Sequence, residues 1–470
     1  MHQHDSQNFA LRQLPAVEKV LQASTIRKLA DQLSPAILTD CARQAVATLR
    51  EQWKKNPPAA ASSEAALQYA VQLTLAEAQQ LLRMSMKRVI NGTGVILHTG
   101  LGRALLSPAA RQHAQEILAG YCNLEMDLET GERGDRNLHI EKILCRLTGA
   151  EAACVVNNNA AAVLLSLNTM AFRREVIISR GQLVEIGGAF RMPEVIRKSG
   201  AKMLEVGTTN KTRLSDYADA ITPKTAALVC VHTSNFRVLG FTEEVPLDEL
   251  VKLGKEKNVP VVHDLGGGVL LDLRQWGLPY EPVVSESINA GASLVTFSGD
   301  KVLGGPQAGL IVGEKNWVVK VKKNPLMRAL RCDKVTLALL ESTLRLFLRP
   351  DQLVQTHPVW RMLTEKTQVV KARAMHLQKE LLENCALVNE AIVRPSEAEA
   401  GSGALPIEKI PSFAVGLRSS TISVAELAKR FRLSAVPVLG YIRDEYLWFD
   451  ARTISDDEIP IVGQMARNLG

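Results

Sequence analysis

A single lysine stands in the small-residue turn Ser298-Gly299-Asp300-Lys301, directly after the apolar run Leu294–Phe297. Gly304 and Gly305 follow and permit close approach of the backbone to a ligand. A lysine so placed can form a Schiff base with a carbonyl cofactor, and Ser298 can hydrogen-bond a phosphate. Taken alone, an S-x-x-K is ordinarily an exposed loop lysine. Asp264 closes another apolar run, Val261-Val262-His263. An aspartate at a strand's carboxyl end can pair with the pyridinium nitrogen of pyridoxal phosphate and keep it protonated as an electron sink; the alternative is a turn or helix-cap aspartate. In Cys154-Val155-Val156-Asn157-Asn158-Asn159 a strand passes through a polar turn into a helix. Helix N-terminal amides bind anions, so Asn157, Asn158 and Asn159 are candidates to hold the cofactor phosphate or cover its ring, with plain N-capping as the alternative. Phosphate cup, strand-end aspartate and loop lysine, in that chain order, form the fold-type-I pyridoxal-phosphate pattern.

The elements that must position these groups separate into three segments. Residues 1–88 are rich in Ala, Gln, Leu and Arg, with helical spacing at Val17, Val20, Leu21 and at Leu67, Val71, Leu75. Lys54–Pro58 reads as a loop between helices. Residues 89–340 alternate apolar runs with helical stretches. The strands expected are Ala152–Val156, Val176–Ser179, Lys202–Val206, Ala226–Val231, Val261–His263 and Leu294–Phe297, with helices such as Asn159–Met170 and Leu247–Lys257 between them. That alternation predicts an α/β large domain with a mainly parallel sheet covered on both faces, and ligands beyond the strands' carboxyl ends. Residues 341–470 open with long helical patterns, Asp333–Phe347 across the boundary and Pro358–Leu382. A Gly/Ser/Pro-rich stretch at 401–406 and strand-like runs Ser412–Leu417 and Leu447–Asp450 follow, giving a smaller α+β domain.

Composition sets outer limits. Of 470 residues 46% are hydrophobic and 22% charged, which supports a buried core and opposes overall disorder. Aromatics at 4% argue against base-stacking RNA modules. The net charge is +7, and residues 1–90 hold 11 Lys+Arg against 7 Asp+Glu, so more than half of the excess lies in under a fifth of the chain. An anionic partner suits that bias. Seven dispersed cysteines without a C-x-x-C pair oppose a disulfide framework and a structural zinc site. A polar start and the lack of any long apolar run lead to the expectation of a cytoplasmic protein without a membrane span.

Longer runs carry a resemblance. Arg88–Ala104, Gly131–Arg136, Leu147–Ala152, Asn157–Asn159, Ser179–Arg191, Glu205–Asn210, Val231–Phe236, Ser298–Lys301 and Arg328–Lys334 resemble the bacterial selenocysteine synthase family, the L-seryl-tRNA(Sec) selenium transferases. The resemblance implies a fold-type-I transferase with pyridoxal 5′-phosphate on Lys301, Asp264 at the ring nitrogen, and His232 among the cofactor-binding residues. It implies that Arg103, Arg328 and Arg331 grip selenophosphate. R-x-x-R spacing puts the last two one helical turn apart, and guanidinium forks suit phosphate oxygens. The implied reaction turns L-seryl-tRNA(Sec) into L-selenocysteinyl-tRNA(Sec) through an aminoacrylyl-tRNA. Lys301 would act as the base at Cα, and Asp300 is a candidate to assist proton transfer. The N-terminal helical segment would bind tRNA, and the chain would assemble as a dimer at least, a decamer by resemblance. Gly100, His263, Gly267 and Tyr441 depart from the residues the family pattern leads one to expect. Two rivals are a related pyridoxal-phosphate lyase acting on a small amino or sugar acid, and a non-catalytic RNA-binding protein on an inherited enzyme fold.

Overall fold

A computed structural model describes residues 8–58, 61–186 and 190–469. Residues 187–189 of the Ser179–Arg191 run therefore lie outside the described residues. The chain divides into two compact units, Met1–Arg88 and Val89–Gly470.

The first unit is helical. Helices α1 (Pro35–Lys55) and α2 (Ser63–Leu82) each begin with a serine cap: Ser34 accepts from the Ile37 amide and Ser62 from the Ala65 amide. Pro35, at the first helical position, fits because no donor is needed there. Leu38, Ala42, Ala45, Val46 and Leu49 face Ala66, Ala70 and Thr74 at the three- and four-residue spacing of a buried helical stripe. Asn56-Pro57-Pro58 ends α1.

The second unit is built on a seven-stranded sheet. Its strands are β1 (Ala152–Val156), β2 (Glu175–Ser179), β3 (Lys202–Val206), β4 (Thr225–Val231), β5 (Val261–Gly266), β6 (Leu294–Ser298) and β7 (Gly309–Gly313). The order across the sheet is β1-β7-β6-β5-β4-β2-β3. From β6 to β3 every pairing is parallel, while β7 runs antiparallel to both β1 and β6. β1, β4, β5, β6 and β7 are buried along their whole length, and β2 is buried in all but its first residue. Helices cover both faces, among them α3 (Leu138–Thr148), α4 (Asn159–Ala171) and α5 (Val284–Ala290). Three apolar clusters include sheet residues, one with Ile140, Leu144, Val295 and Phe297, another with Ala162, Leu165, Val229 and Ile311, and a third with Ile177, Leu228 and Val261. β7 is the one sheet member absent from the sequence expectation. Its glycine ends continue the glycine-rich loop after Lys301, and its antiparallel return needs no intervening helix.

Toward the C terminus, β8 (Glu390–Gly401), β9 (Ala404–Arg418), β10 (Tyr441–Arg443) and β11 (Tyr446–Asp450) form an antiparallel sheet in the order β8-β9-β11-β10. The stretch expected as a loop at 401–406 narrows to the tip of the β8–β9 hairpin. Helix α6 (Thr367–Asn384) packs on this sheet through Val370, Ala374, Leu377 and Leu381. The helix expected over Pro358–Leu382 is two helices, Pro358–Thr364 and then α6. Arg452 Nη1 donates to the carbonyls of Met362 at 2.8 Å and Glu365 at 3.0 Å, which satisfies the end of the first helix and stops it. Residues 90–97 also join this lattice: Ile90 and Asn91 pair with Val438 and Leu439, and the Ile96 and Leu97 amides donate to the Glu399 and Ala400 carbonyls at 2.9 and 2.8 Å.

Candidate active site

β6 ends at Ser298, and the chain turns through Gly299 and Asp300 to bring Lys301 to the carboxyl end of the sheet. Ser298, Asp300 and Lys301 are each 6% exposed, and Asp264 on neighbouring β5 is 5% exposed. The turn is fixed from inside by the Gly304 amide on the Lys301 carbonyl and the Gly299 amide on the Ala308 carbonyl, both at 2.8 Å. It is fixed from outside by buried Trp360 and His357. Trp360 Nε1 donates to the Val302 carbonyl at 3.2 Å, and His357 Nε2 lies 2.9 Å from the Leu303 carbonyl. The lysine loop is thus pinned by side chains more than fifty residues away.

Asp264 Oδ1 accepts from Asn159 Nδ2 at 2.8 Å and from Thr296 Oγ1 at 2.9 Å. Burial still pushes its carboxyl above the usual carboxylate range, against these two bonds and the charge of Lys301. Burial likewise pushes the Lys301 ammonium down, with the Asp264 carboxylate opposing. Gly266 has φ +63°, and a Cβ there would stand 3.6 Å from Ser234 Oγ and 3.8 Å from Lys301 Nζ. The lack of a side chain keeps the space beside the amine open. Asn159 Oδ1 and Ser234 Oγ are buried without a hydrogen-bond partner. Two orphaned polar atoms flanking a buried carboxylate and amine are what a polar bound group would satisfy. Amine, carboxylate and amide donors together fit pyridoxal phosphate.

The asparagine triplet divides its work. Asn157 is exposed, with its main-chain amide on the Leu330 carbonyl at 2.9 Å. Asn158 caps α4 by accepting from the Ala161 amide at 2.8 Å, the capping alternative raised from the sequence. Asn159 holds Asp264. His232 follows β4; its amide donates to the Asp264 carbonyl at 2.8 Å, and its Nε2 lies 3.1 Å from Glu281 Oε2.

Arg103 and the other two arginines have different partners. Arg103 has φ +63°, a strained conformation for a side-chain-bearing residue, and its Nη1 donates to Asp300 Oδ2 at 2.7 Å. Arg328 and Arg331 line one pocket of about 310 Å³ with Glu125, Arg133, Arg136 and Lys322. They do not share a continuous helix. The helix Leu326–Leu330 stops one residue short, and Arg331 is extended and bridges Val156 at the end of β1. Arg331 Nη1 donates to Glu125 Oε1 at 3.1 Å. Arg136 and Arg133 also hold that carboxylate, which keeps it well below its usual range, at about 2. Glu125 is a single acid outside every recognised motif, and no local pattern marks it.

Of the departures, His263 points away from Asp264's partners: its Nδ1 meets Ser287 Oγ of α5 at 3.0 Å, and burial pushes it down to about 3. A Cβ at Gly267 would meet only the Leu265 carbonyl at 3.9 Å, so there is room for a side chain. A Cβ at Gly100 would stand 3.3 Å from the His98 ring. Tyr441 lines a separate groove with Arg394, Lys409 and Arg443.

Residues 89–455 match the family model described as L-seryl-tRNA selenium transferase, and residues 11–50 match the one described as selenocysteine synthase N terminal. The chain belongs to the L-seryl-tRNA selenium transferase family. It is 46% identical over 452 residues to the L-seryl-tRNA(Sec) selenium transferase of Carboxydothermus hydrogenoformans, covering 96% of this chain and 95% of that one. It is 45% identical over 450 residues to the protein of the same name from Haemophilus influenzae, covering 95% of this chain and 97% of that one. Among solved structures, D-glucosaminate-6-phosphate ammonia-lyase superposes with a TM-score of 0.55 at 19% identity, covering 83% of this chain and 97% of that one. That likeness speaks to fold alone. The fold expectation stands: a fold-type-I, mainly parallel large domain with an antiparallel C-terminal sheet. No helix among the described residues is long and apolar enough to cross a membrane.

Proposed function

We propose that this protein converts L-seryl-tRNA(Sec) to L-selenocysteinyl-tRNA(Sec), with selenophosphate as selenium donor and pyridoxal 5′-phosphate as cofactor. The observation that carries the reading is buried Lys301 near buried Asp264, beside a glycine that leaves room at its amine, in a chain of this family. When bound, the cofactor supplies an electron sink for charge developing at the seryl Cα. Lys301 holds the cofactor and then takes the Cα proton; burial, by lowering its affinity for protons, suits an amine to act as nucleophile and base. Asp264 keeps a proton on the ring nitrogen. Burial drives this carboxyl toward its neutral form even with Lys301 nearby, and a pyridinium partner would favour the ionised form. Asn159 and Thr296 hold the carboxylate in place.

The serine hydroxyl leaves Cβ as water; Arg103, Arg328 and Arg331 receive the selenophosphate, whose selenium bonds to Cβ while water takes its phosphoryl group and phosphate departs. Asp300 orients Arg103 and is a candidate for proton transfer. Asn157, Asn158, Ser298 and His232 complete the cofactor's surroundings. Residues 1–88 bind the tRNA, chiefly through phosphate charge. The active assembly is a homo-oligomer, at least a dimer and a decamer by family likeness, working in the cytoplasm. The ammonia-lyase likeness, resting on fold, does not favour a small-molecule lyase.

The test is conversion of seryl-tRNA(Sec) with and without selenophosphate. Selenocysteinyl-tRNA is expected only with both substrates and cofactor. Turnover of free amino or sugar acids, with none on seryl-tRNA(Sec), would overturn the proposal.

A further inference from the structure

Glu281 sits in Pro279-Tyr280-Glu281-Pro282, outside every motif that points to chemistry, yet it is only 4% exposed. Its two carboxylate oxygens have separate duties. Oε2 lies 3.1 Å from His232 Nε2, and Oε1 accepts the Leu405 amide at 3.2 Å. Leu405 belongs to the tip of the β8–β9 hairpin. There Gly401, Ser402, Gly403 and Leu405 have φ of +79°, +53°, +68° and +49°. Two side-chain-bearing residues in left-handed conformations need outside contacts to hold them. Those contacts are the Ser402 hydroxyl on the Leu97 carbonyl and the Leu405 amide on Glu281. A Cβ at Gly403 would stand 3.2 Å from Asn235 Cβ and 3.5 Å from Ser234 Oγ, so the tip lies directly on the loop that follows His232.

We propose that Glu281 is a positioning residue, resting on the function proposed above: it fixes His232 as the Nε2–H tautomer and ties that ring to the hairpin tip. An ionised carboxylate only accepts hydrogen bonds. Facing Oε2, His232 Nε2 carries the proton, which leaves Nδ1 as the acceptor of the Nε2–H tautomer. The ring's main chain is fixed as well, since the His232 amide donates to the Asp264 carbonyl at 2.8 Å. One buried acid thus joins the C-terminal hairpin, the cofactor-side histidine and the strand that carries Asp264. Glu281 also favours the charged form of Lys301, as one of four charges acting on the amine.

The test uses histidine labelled with nitrogen-15 in the full-length, cofactor-free protein. His232 is expected as the Nε2–H tautomer; an Nδ1–H tautomer in the unsubstituted protein overturns the proposal without any variant. In Glu281→Gln the side-chain oxygen must still accept from Leu405. The amide nitrogen then faces His232 Nε2, which must turn acceptor, so the tautomer should invert. With seryl-tRNA(Sec), kcat should fall roughly 10–100-fold at unchanged KM. An unchanged tautomer in this variant overturns the assignment. In Glu281→Ala the Leu405 amide should lose its protection from hydrogen exchange, and retained protection overturns the tether to the hairpin. The tautomer is read without tRNA or cofactor, so failure of seryl-tRNA(Sec) conversion by the unsubstituted protein would strike the proposed function alone.

Discussion

Thr296→Val removes a fully buried hydroxyl that donates to Asp264 Oδ1 at 2.9 Å, while nearly keeping the shape of the side chain. A hydrogen bond to a charged acceptor contributes roughly 1.5–3 kcal/mol. Asn159 still donates to the same oxygen at 2.8 Å, so the lower end, about 1.5 kcal/mol, applies to the cofactor-free protein. The penalty depends on pH. Burial raises the Asp264 carboxyl above its ordinary value, so the folded protein holds this proton more tightly than the unfolded chain. The stability tied to this group is present in acid and is lost as pH rises through the raised value. Without the Thr296 donor the carboxyl rises further. The deficit of the variant is therefore small where Asp264 is protonated and reaches its ceiling where Asp264 is ionised. The assay is thermal unfolding across a pH series. For the unit Val89–Gly470 an unfolding entropy of roughly 0.8 kcal/mol/K follows from per-residue averages. The expected deficit in Tm is about 2 °C at alkaline pH and under about 1 °C in acid. A deficit that is flat with pH, or largest in acid, would refute the claim that this hydroxyl serves the ionised carboxylate.

Lys301→Ala should leave the fold and tRNA binding intact, while borohydride no longer fixes cofactor to the chain, as read by mass; a label retained elsewhere would displace Lys301 from its role. Arg328→Ala combined with Arg331→Ala should still release the serine hydroxyl but no longer incorporate labelled selenium, and normal incorporation would remove the arginines from the selenophosphate site. Gly309→Ala would place a Cβ 2.0 Å from the Asn158 carbonyl oxygen and 2.8 Å from the Asn159 amide, forcing the turn at the start of α4 to shift. The expected cost is roughly 1–3 kcal/mol of stability together with weaker cofactor binding, followed by unfolding and by cofactor titration; no change in either would show that the turn yields freely.

The asparagine triplet shows where reading by letter reaches its limit. Strand, polar turn and helix were all legible, because β1 is a run of apolar residues buried on both faces and α4 follows with helical spacing. What three identical side chains do was not legible. One is exposed, one caps the helix, and one crosses to Asp264, a residue 105 positions later. The same boundary runs through the rest of the molecule. Asp264 and Lys301 could be found because each follows an apolar run near the carboxyl end of a strand, and such runs are a property of local pattern. Glu125 and Glu281 could not: Glu125 meets Arg331 across 206 positions as well as nearby Arg133 and Arg136, and Glu281 meets the hairpin tip of the C-terminal sheet. The break after Thr364 has the same origin. No proline or glycine marks it; the Glu365 carboxylate takes both Arg373 guanidinium nitrogens at 2.7 Å, and Arg452 fills the carbonyls left over. The glycines divide likewise. A Cβ at Gly304 would stand 1.9 Å from the His357 ring, so this glycine serves the packing of the lysine loop against a distant helix as much as close approach of a ligand. Local pattern thus locates the reactive groups, burial shifts their protonation, and long-range polar contacts set their aim, which is why acids outside the motifs are worth mutating.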